Sequence, residues 1–274
     1  MKKMLYTKIL LVLSLTLILP TQALPEEVLI KSSWRSLPLN IDGSPGDWTD
    51  VTLSSAKKIA VDYAFMNDAD NLFVIFEFTD KKDMSSINYT GLTMWFDVEG
   101  KKKKNYGITF QKKKVTADFY LDYLEKHGQK VTEEDKQKIQ SMSSIIFYDA
   151  AVTNKKSKSS SQPPENQEIK PAIFRSGIQN KMAVYELSIP LTRVSDTAPG
   201  IGTEPGQTVK VCFEWGGMTD ELRKQIRDKQ VGSGGRATGV ADANPRGGIG
   251  VPSQSKSPKK YSIWVDLQLA KTDK

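Results

Sequence analysis

One cysteine and one histidine in 274 residues leave little room for the commonest protein chemistry. Cys212 has no partner for an intramolecular disulfide and lies far from the N-terminal position that a lipid-modified cysteine occupies. His127 excludes a metal site built from several histidines and allows at most one histidine-based triad, with its base on a segment of helical character. It reads as a solvent-facing residue, and no metal site is expected. Long apolar runs are also scarce: Ile9 to Leu19 is well short of the roughly 20 residues that span a bilayer, and no later segment is apolar enough. The glycines of residues 232–258, with Arg236 and Arg246 among them, lack the strand before and helix after that a phosphate-cradling loop needs. No cofactor is expected. An aromatic-rich basic motif of an RNA reader is missing too, so nucleic acid is not an expected partner.

What is present begins with an export signal. Lys2, Lys3 and Lys8 precede the run Ile9 to Leu19, and Pro20, Thr21 and Ala23 supply a cleavage region, so residues 1–23 read as a signal peptide. Its removal lowers the formal charge from +7 to +4, and the mature chain is expected in the periplasm or outside the cell, without a membrane span. The remaining length suits one elaborated domain or two small ones, with a core large enough to need no disulfide.

Strand patterns dominate. Ile59, Val61, Tyr63 and Phe65 alternate with smaller or polar residues, NDADN at 67–71 carries turn chemistry, and Leu72 to Phe78 is apolar on both faces, as in a strand inside a sandwich. Leu92 to Val98 and Tyr106 to Gln111 form a second hairpin, with the later strand extending toward Val115. Between Asp118 and Met142, Phe119, Leu121 and Leu124 are helically spaced, and Thr132 with Glu133, Glu134 and Asp135 marks a helix start. Residues 143–152 return as a strand, and the polar stretch 153–170 reads as a surface loop. Met182 to Ile189, Val209 to Trp215, and Tyr261 to Leu269 are strands, a short helix is expected from Thr219 to Lys229, and 232–258 reads as a mobile flap. The closing strand returns to the same sheets, so residues 24–274 are expected to form one domain with insertions at about 118–171 and 217–260.

The octapeptide IDGSPGDW, Ile41 to Trp48, is a corner: Pro45 and Gly46 turn the chain, Asp42 and Asp47 take backbone amides, and Trp48 folds onto an apolar face. With VDYAFMNDADNLFVIFEFTD at 61–80, GLTMWFDVEG at 91–100, YELSIPL at 185–191 and WVDLQLA at 264–270, it gives the chain a pattern that resembles the family 9 carbohydrate-binding modules and their wider family-9-like relatives. The resemblance implies a mainly β fold, an antiparallel β-sandwich with a short helical insertion and a long Gly-rich loop, and a non-catalytic protein that stacks a saccharide on aromatic side chains. Sugar-binding members place acids where Thr90 and Thr93 stand, an aromatic where Tyr89 is nearest, and a further Trp where this chain has SQSKSPKK before its last strand.

The candidate ligand-binding residues are Tyr89, Thr93, Trp95, Asp97, Trp215 and Trp264. Trp95 shares strand parity with Thr93 and Asp97 and reads either as a replacement stacking platform or as a packing residue. Trp215, just before Gly216 and Gly217, lines a cleft or fills the core. Trp264 lies on the strand face opposite Tyr261, Ile263 and Val265. Asp62, Asp80, Asp97 and Asp266 read as turn and strand-end residues ahead of a hydrolytic pair, which needs two carboxyl groups at a set separation. Asp68 and Asp70 lack the glycine and terminal glutamate of an EF-hand loop. Lys101 to Lys104 and Lys112 to Lys114 are either solvated strand tips or a surface for an anionic polymer. The functions expected are thus glycan or glycoconjugate binding or, alternatively, a structural or interaction subunit of the cell envelope that no longer binds sugar.

Overall fold

Apolar alternation along the chain becomes two six-stranded sheets packed face to face. This computed structural model describes residues 29–56, 59–126, 129–155, 169–217 and 259–272, and the side chains of all of these except 81–85. The expected signal segment, His127, the helix from Thr219, the loop at 232–258 and most of the polar stretch 153–170 lie outside the described residues.

The first sheet runs β1 (Leu29–Lys31), β12 (Lys260–Gln268), β11 (Thr208–Gly216), β6 (Leu92–Asp97), β7 (Tyr106–Val115), β8 (Ile145–Asn154). The second runs β2 (Ser33–Trp34), β4 (Val61–Asn67), β5 (Asn71–Phe78), β10 (Met182–Pro190), β9 (Ile173–Gln179), with β3 (Ser54–Ala56) also on β4. Both expected hairpins form. Most pairs are antiparallel, as expected of the sandwich, while β1 pairs with β12 and β2 with β4 in parallel. The reason is that the N-terminal strand crosses from one sheet to the other at Ser32. Buried Asn67 fixes the crossing: its Oδ1 accepts the Ser32 hydroxyl and the Ala270 N–H, and its Nδ2 donates to the Ala270 carbonyl at 3.1 Å.

Inward-facing residues of both sheets form one core. Phe213 meets Tyr63 and Phe76 edge-to-face, each at 4.9 Å between ring centres, a geometry worth about 0.5–1.5 kcal/mol beyond the area buried. Helix α1 (Lys81–Thr90), which the sequence pattern does not announce, puts Ile87 into this core. Its Thr90 hydroxyl accepts the Gly216 N–H at 2.9 Å. The helical insertion is α2 (Ala117–Lys126) and α3 (Glu133–Gln140); α3 is capped by Thr132 as its sequence indicates, and α2 packs Phe119, Tyr120 and Tyr123 around buried Phe147.

The second sheet is buried on both faces. Ala64, Met66, Phe73, Ile75 and Val184 on its outer side pack with Trp48, Leu39, Ile41, Val51 and Leu53, so the segment around the octapeptide forms a third layer. This explains the two-sided apolar pattern of Leu72 to Phe76. Within the octapeptide, Pro45–Trp48 is one 3-10 turn with Ser44 as its cap, and Asp42 accepts the Ser44 N–H at 2.8 Å. Fully buried Glu186 of β10 holds the layer down: it accepts Trp48 Nε1–H at 2.6 Å and the backbone N–H groups of Gly43, Asp42 and Ser44 at 2.6, 2.9 and 3.2 Å. Burial raises the Glu186 carboxyl above the ordinary glutamate value, and these four donors oppose the shift. Gly43, at φ +85°, lies so close to β9 that a Cβ there would stand 2.6 Å from the Ser176 carbonyl carbon.

Glu186→Gln puts an amide N–H against donors and lowers stability by about 2–3 kcal/mol, and Trp48→Phe, which leaves the carboxylate one donor short, by about 1–3 kcal/mol. Chemical denaturation at neutral pH measures both.

Candidate functional site

Strand parity divides the aromatic candidates. On β11, Val209, Val211, Phe213 and Trp215 face the second sheet, while Lys210, Cys212 and Glu214 face outward. Trp215 is therefore a core residue, 1% exposed, stacked on Tyr261 and edge-on to Phe78. This corrects its candidacy as a surface contact: its parity, which its place at the strand end does not change, points it inward.

The outward residues of β12, β11, β6 and β7 build one continuous face. Trp264, Cys212, Trp95 and Gly107 form a cross-strand row, with Ser262, Glu214, Thr93 and Thr109 above it and Asp266, Lys210 and Asp97 below. Four candidates, Thr93, Trp95, Asp97 and Trp264, thus share one face. Tyr89 does not join the row. It is 63% exposed near the end of α1.

Trp95 lies across Gly107 because glycine has no side chain to hold it off; a Cβ at 107 would stand 2.8 Å from the ring. The Lys155 ammonium sits 4.6 Å over that ring, a cation–π contact, and Trp95 is 5% exposed. Its indole Nε1–H has no hydrogen-bond partner among the described residues. Trp264 is only half-buried, which makes it the more open indole of the row. Between the two, Cys212 is fully buried, and burial raises its thiol above the ordinary cysteine value, opposed by the Ser262 hydroxyl 3.2 Å away and by Lys104.

Polar groups surround the indoles. Lys104 pairs with Glu214 and donates to the Ser262 hydroxyl at 2.8 Å, and Lys260 reaches Glu214 at 2.8 Å. Burial alone would raise the Glu214 carboxyl, but the two ammonium groups overcome it and hold it below the ordinary value. Thr93 and Thr109 hydroxyls meet at 2.9 Å. Asp97 accepts the Glu99 N–H at 3.0 Å and the Lys103 N–H at 2.7 Å, shaping the β6–β7 turn. It also borders a polar pocket of about 150 Å³, with Asn105, Asn154, Asp196 and Arg193, whose guanidinium lies 4.4 Å over the Tyr106 ring.

Of the two lysine clusters, Lys101, Lys104 and Lys113 pair with Glu99, Glu214 and Asp149, and Lys112 lies over Tyr148. Asp68 accepts the N–H groups of Asp70 and Asn71, the work of a turn residue. Asp266 is engaged by Lys210. No group of three metal-ligating side chains that could hold an ion occurs among the described residues, and no described helix is long and apolar enough to cross a membrane. Sequence reasoning missed Glu214, Lys260 and Ser262 and noted Lys104 only as part of a lysine cluster. Their shared face follows only from the register of β11 against β12 and β6.

No family model matches the chain, and no curated protein matches it in sequence. Two solved structures of a family 9 carbohydrate-binding module from Caldicellulosiruptor kristjanssonii are similar to it. The one in complex with glucose is 13% identical, covering 71% of this chain and 81% of that one with a TM-score of 0.36. The one in complex with cellotriose is 10% identical, covering 90% and 96% with a TM-score of 0.39.

Because Glu214 has a depressed folded-state pKa, its stabilisation is fully present above the ordinary value of 4.5 and is lost as the pH falls through the folded-state value. Glu214→Gln therefore lowers stability at pH 7 by about 1 kcal/mol. The gap to the unaltered chain closes in acid, as read by denaturant titration across that range.

Proposed function

We propose that this chain is a non-catalytic, exported protein that binds a glycan or glycoconjugate on the outer face of its first sheet. The observation that carries the reading is the half-buried Trp264 set among hydrogen-bonding side chains, Ser262 of its own strand, Glu214 of β11 and Lys104 of the β6–β7 turn. An indole face packs against the apolar C–H face of a pyranose, while carboxylates, hydroxyls and ammonium groups around it take the sugar hydroxyls. Trp95 lies under the same surface, 5% exposed, with Thr93 and Asp97 at the polar margin. Tyr89, 63% exposed, stands near the end of α1, just before β6 begins at Leu92. Export rests on the basic start and apolar run of residues 1–23. A non-catalytic role is supported by the state of the carboxylates: Glu214 is held by two lysines, Asp266 by one, and Asp97 by two backbone N–H groups. Lysines beside the face suit a glycan bearing acidic groups.

A second reading, an interaction subunit of the cell envelope, is favoured by the edge strand β9, where Ile178 is 75% and Ile173 38% exposed. Capture of a defined envelope partner, with no saccharide raising the thermal stability of the chain, would favour it.

A glycan array followed by affinity electrophoresis tests the leading reading. At least one saccharide is retained, and Trp264→Ala weakens that retention about tenfold or more, the equivalent of 1.4 kcal/mol. Retention of nothing, or equal retention by the variant, sinks it.

A further inference from the structure

On the outer side of the second sheet, the layer that carries the octapeptide leaves a gap. Leu39 and Ile41 stand on one side of an open groove of about 540 Å³ that reaches across to Lys170 and Arg175. Its floor is a cross-strand row, Ile173 of β9, Ser188 of β10 and Phe73 of β5, on the same face as Glu186. The groove is therefore apolar along Leu39, Ile41, Phe73 and Ile173, with cations on one rim.

Two features of this groove bear on what it would hold. Ser188, 7% exposed, puts a hydroxyl on the floor. Arg175 donates to the Phe174 carbonyl and lies 5.0 Å over the Tyr148 ring, and it has no carboxylate partner among the described residues. Lys170 pairs with Asp70 at 3.1 Å, but with both side chains more than half exposed the pair is weak and yields readily to a better placed acid. Asp68, the acid bordering the groove, already spends Oδ1 on the N–H groups of Asp70 and Asn71 at 2.8 and 2.6 Å.

We propose that this groove binds a small amphipathic monocarboxylate, its hydrocarbon tail along Leu39, Ile41, Phe73 and Ile173 and its carboxylate beside Arg175 and Lys170. Charge complementarity selects the sign of the ligand, since the rim offers a guanidinium that has no carboxylate partner among the described residues and whose planar fork matches one. The apolar floor selects against a bare anion, because a small hydrated acid gains nothing from Phe73 and Ile173. Ser188 supplies a hydrogen-bond donor on the floor. This site lies on the opposite sheet from the glycan face and does not depend on it, so either reading stands or fails alone.

Isothermal titration of the full chain with octanoate tests the proposal, with acetate and octylamine as controls for the tail and the charge. Octanoate saturates a single site, while acetate and octylamine bind about tenfold more weakly or worse. Arg175→Gln weakens octanoate about fivefold and Ser188→Ala about threefold, with circular dichroism and melting curves unchanged. Failure of octanoate to saturate overturns the proposal, as does equal binding of octylamine or undiminished binding by Arg175→Gln. Should Ser188→Ala melt early, Lys170→Gln replaces it, with a loss of about twofold expected and no loss counting against the site.

Discussion

A single buried carboxylate organises this molecule. Removing an ionised glutamate from water costs several kcal/mol unless its oxygens are fully engaged, and Glu186 meets that demand with one indole and three backbone donors. All four come from residues 42–48, so the condition can be satisfied only when the octapeptide lies on the outer side of β10. The consequence reaches across the sheet: with that layer in place, Phe73, Ile75, Met66 and Val184 are buried on a face that a simple sandwich would leave wet. The outer face of the first sheet is left in a different state, polar and partly open along β12, β11 and β6, and covered near Phe147 by α2.

That asymmetry gives each sheet its own task. The covered sheet carries structure, with Gly43 packed against β9 at a distance only a glycine allows. The other carries two indoles around Cys212, an acid shared by two lysines, and a row of threonine hydroxyls. Trp95 and Trp264 occupy equivalent strand positions with different outcomes. Gly107 and Lys155 enclose the first, whereas the second, near the sheet edge, keeps part of its ring open.

Much of this was legible in the sequence where the cause is local. NDADN turns β4 into β5 because Asp68 captures the amides of the turn, and Thr132 starts α3 because its side chain accepts the Asp135 N–H. Parity alone put Trp264 on the face opposite Tyr261, Ile263 and Val265, and put Thr93, Trp95 and Asp97 together. Legibility ends where the cause is remote. Glu186 stands out in YELSIPL as an acid among apolar neighbours, but its partners lie about 140 residues earlier. The parallel pairing of β1 and β2 depends on Asn67 and Ala270, at distant points of the chain. Helix α1 is polar in sequence and is held through Ile87 and Thr90, and strand β9 has no strong alternation of its own. Trp215 shows the opposite failure, since its parity with Phe213 already pointed inward and its neighbouring glycines drew attention away.

The central functional claim is that a saccharide meets the face bearing Trp264 and Trp95. The indole N–H resonances of the five tryptophans report on this directly, because Trp48 is locked to Glu186 and Trp215 is enclosed in the core. Titrating ¹⁵N-labelled protein with the saccharide selected by the array should shift the Trp264 and Trp95 signals together and leave those of Trp48 and Trp215 in place. Shifts confined to Trp34 or Trp48, or no indole shift at saturating saccharide, would contradict the account.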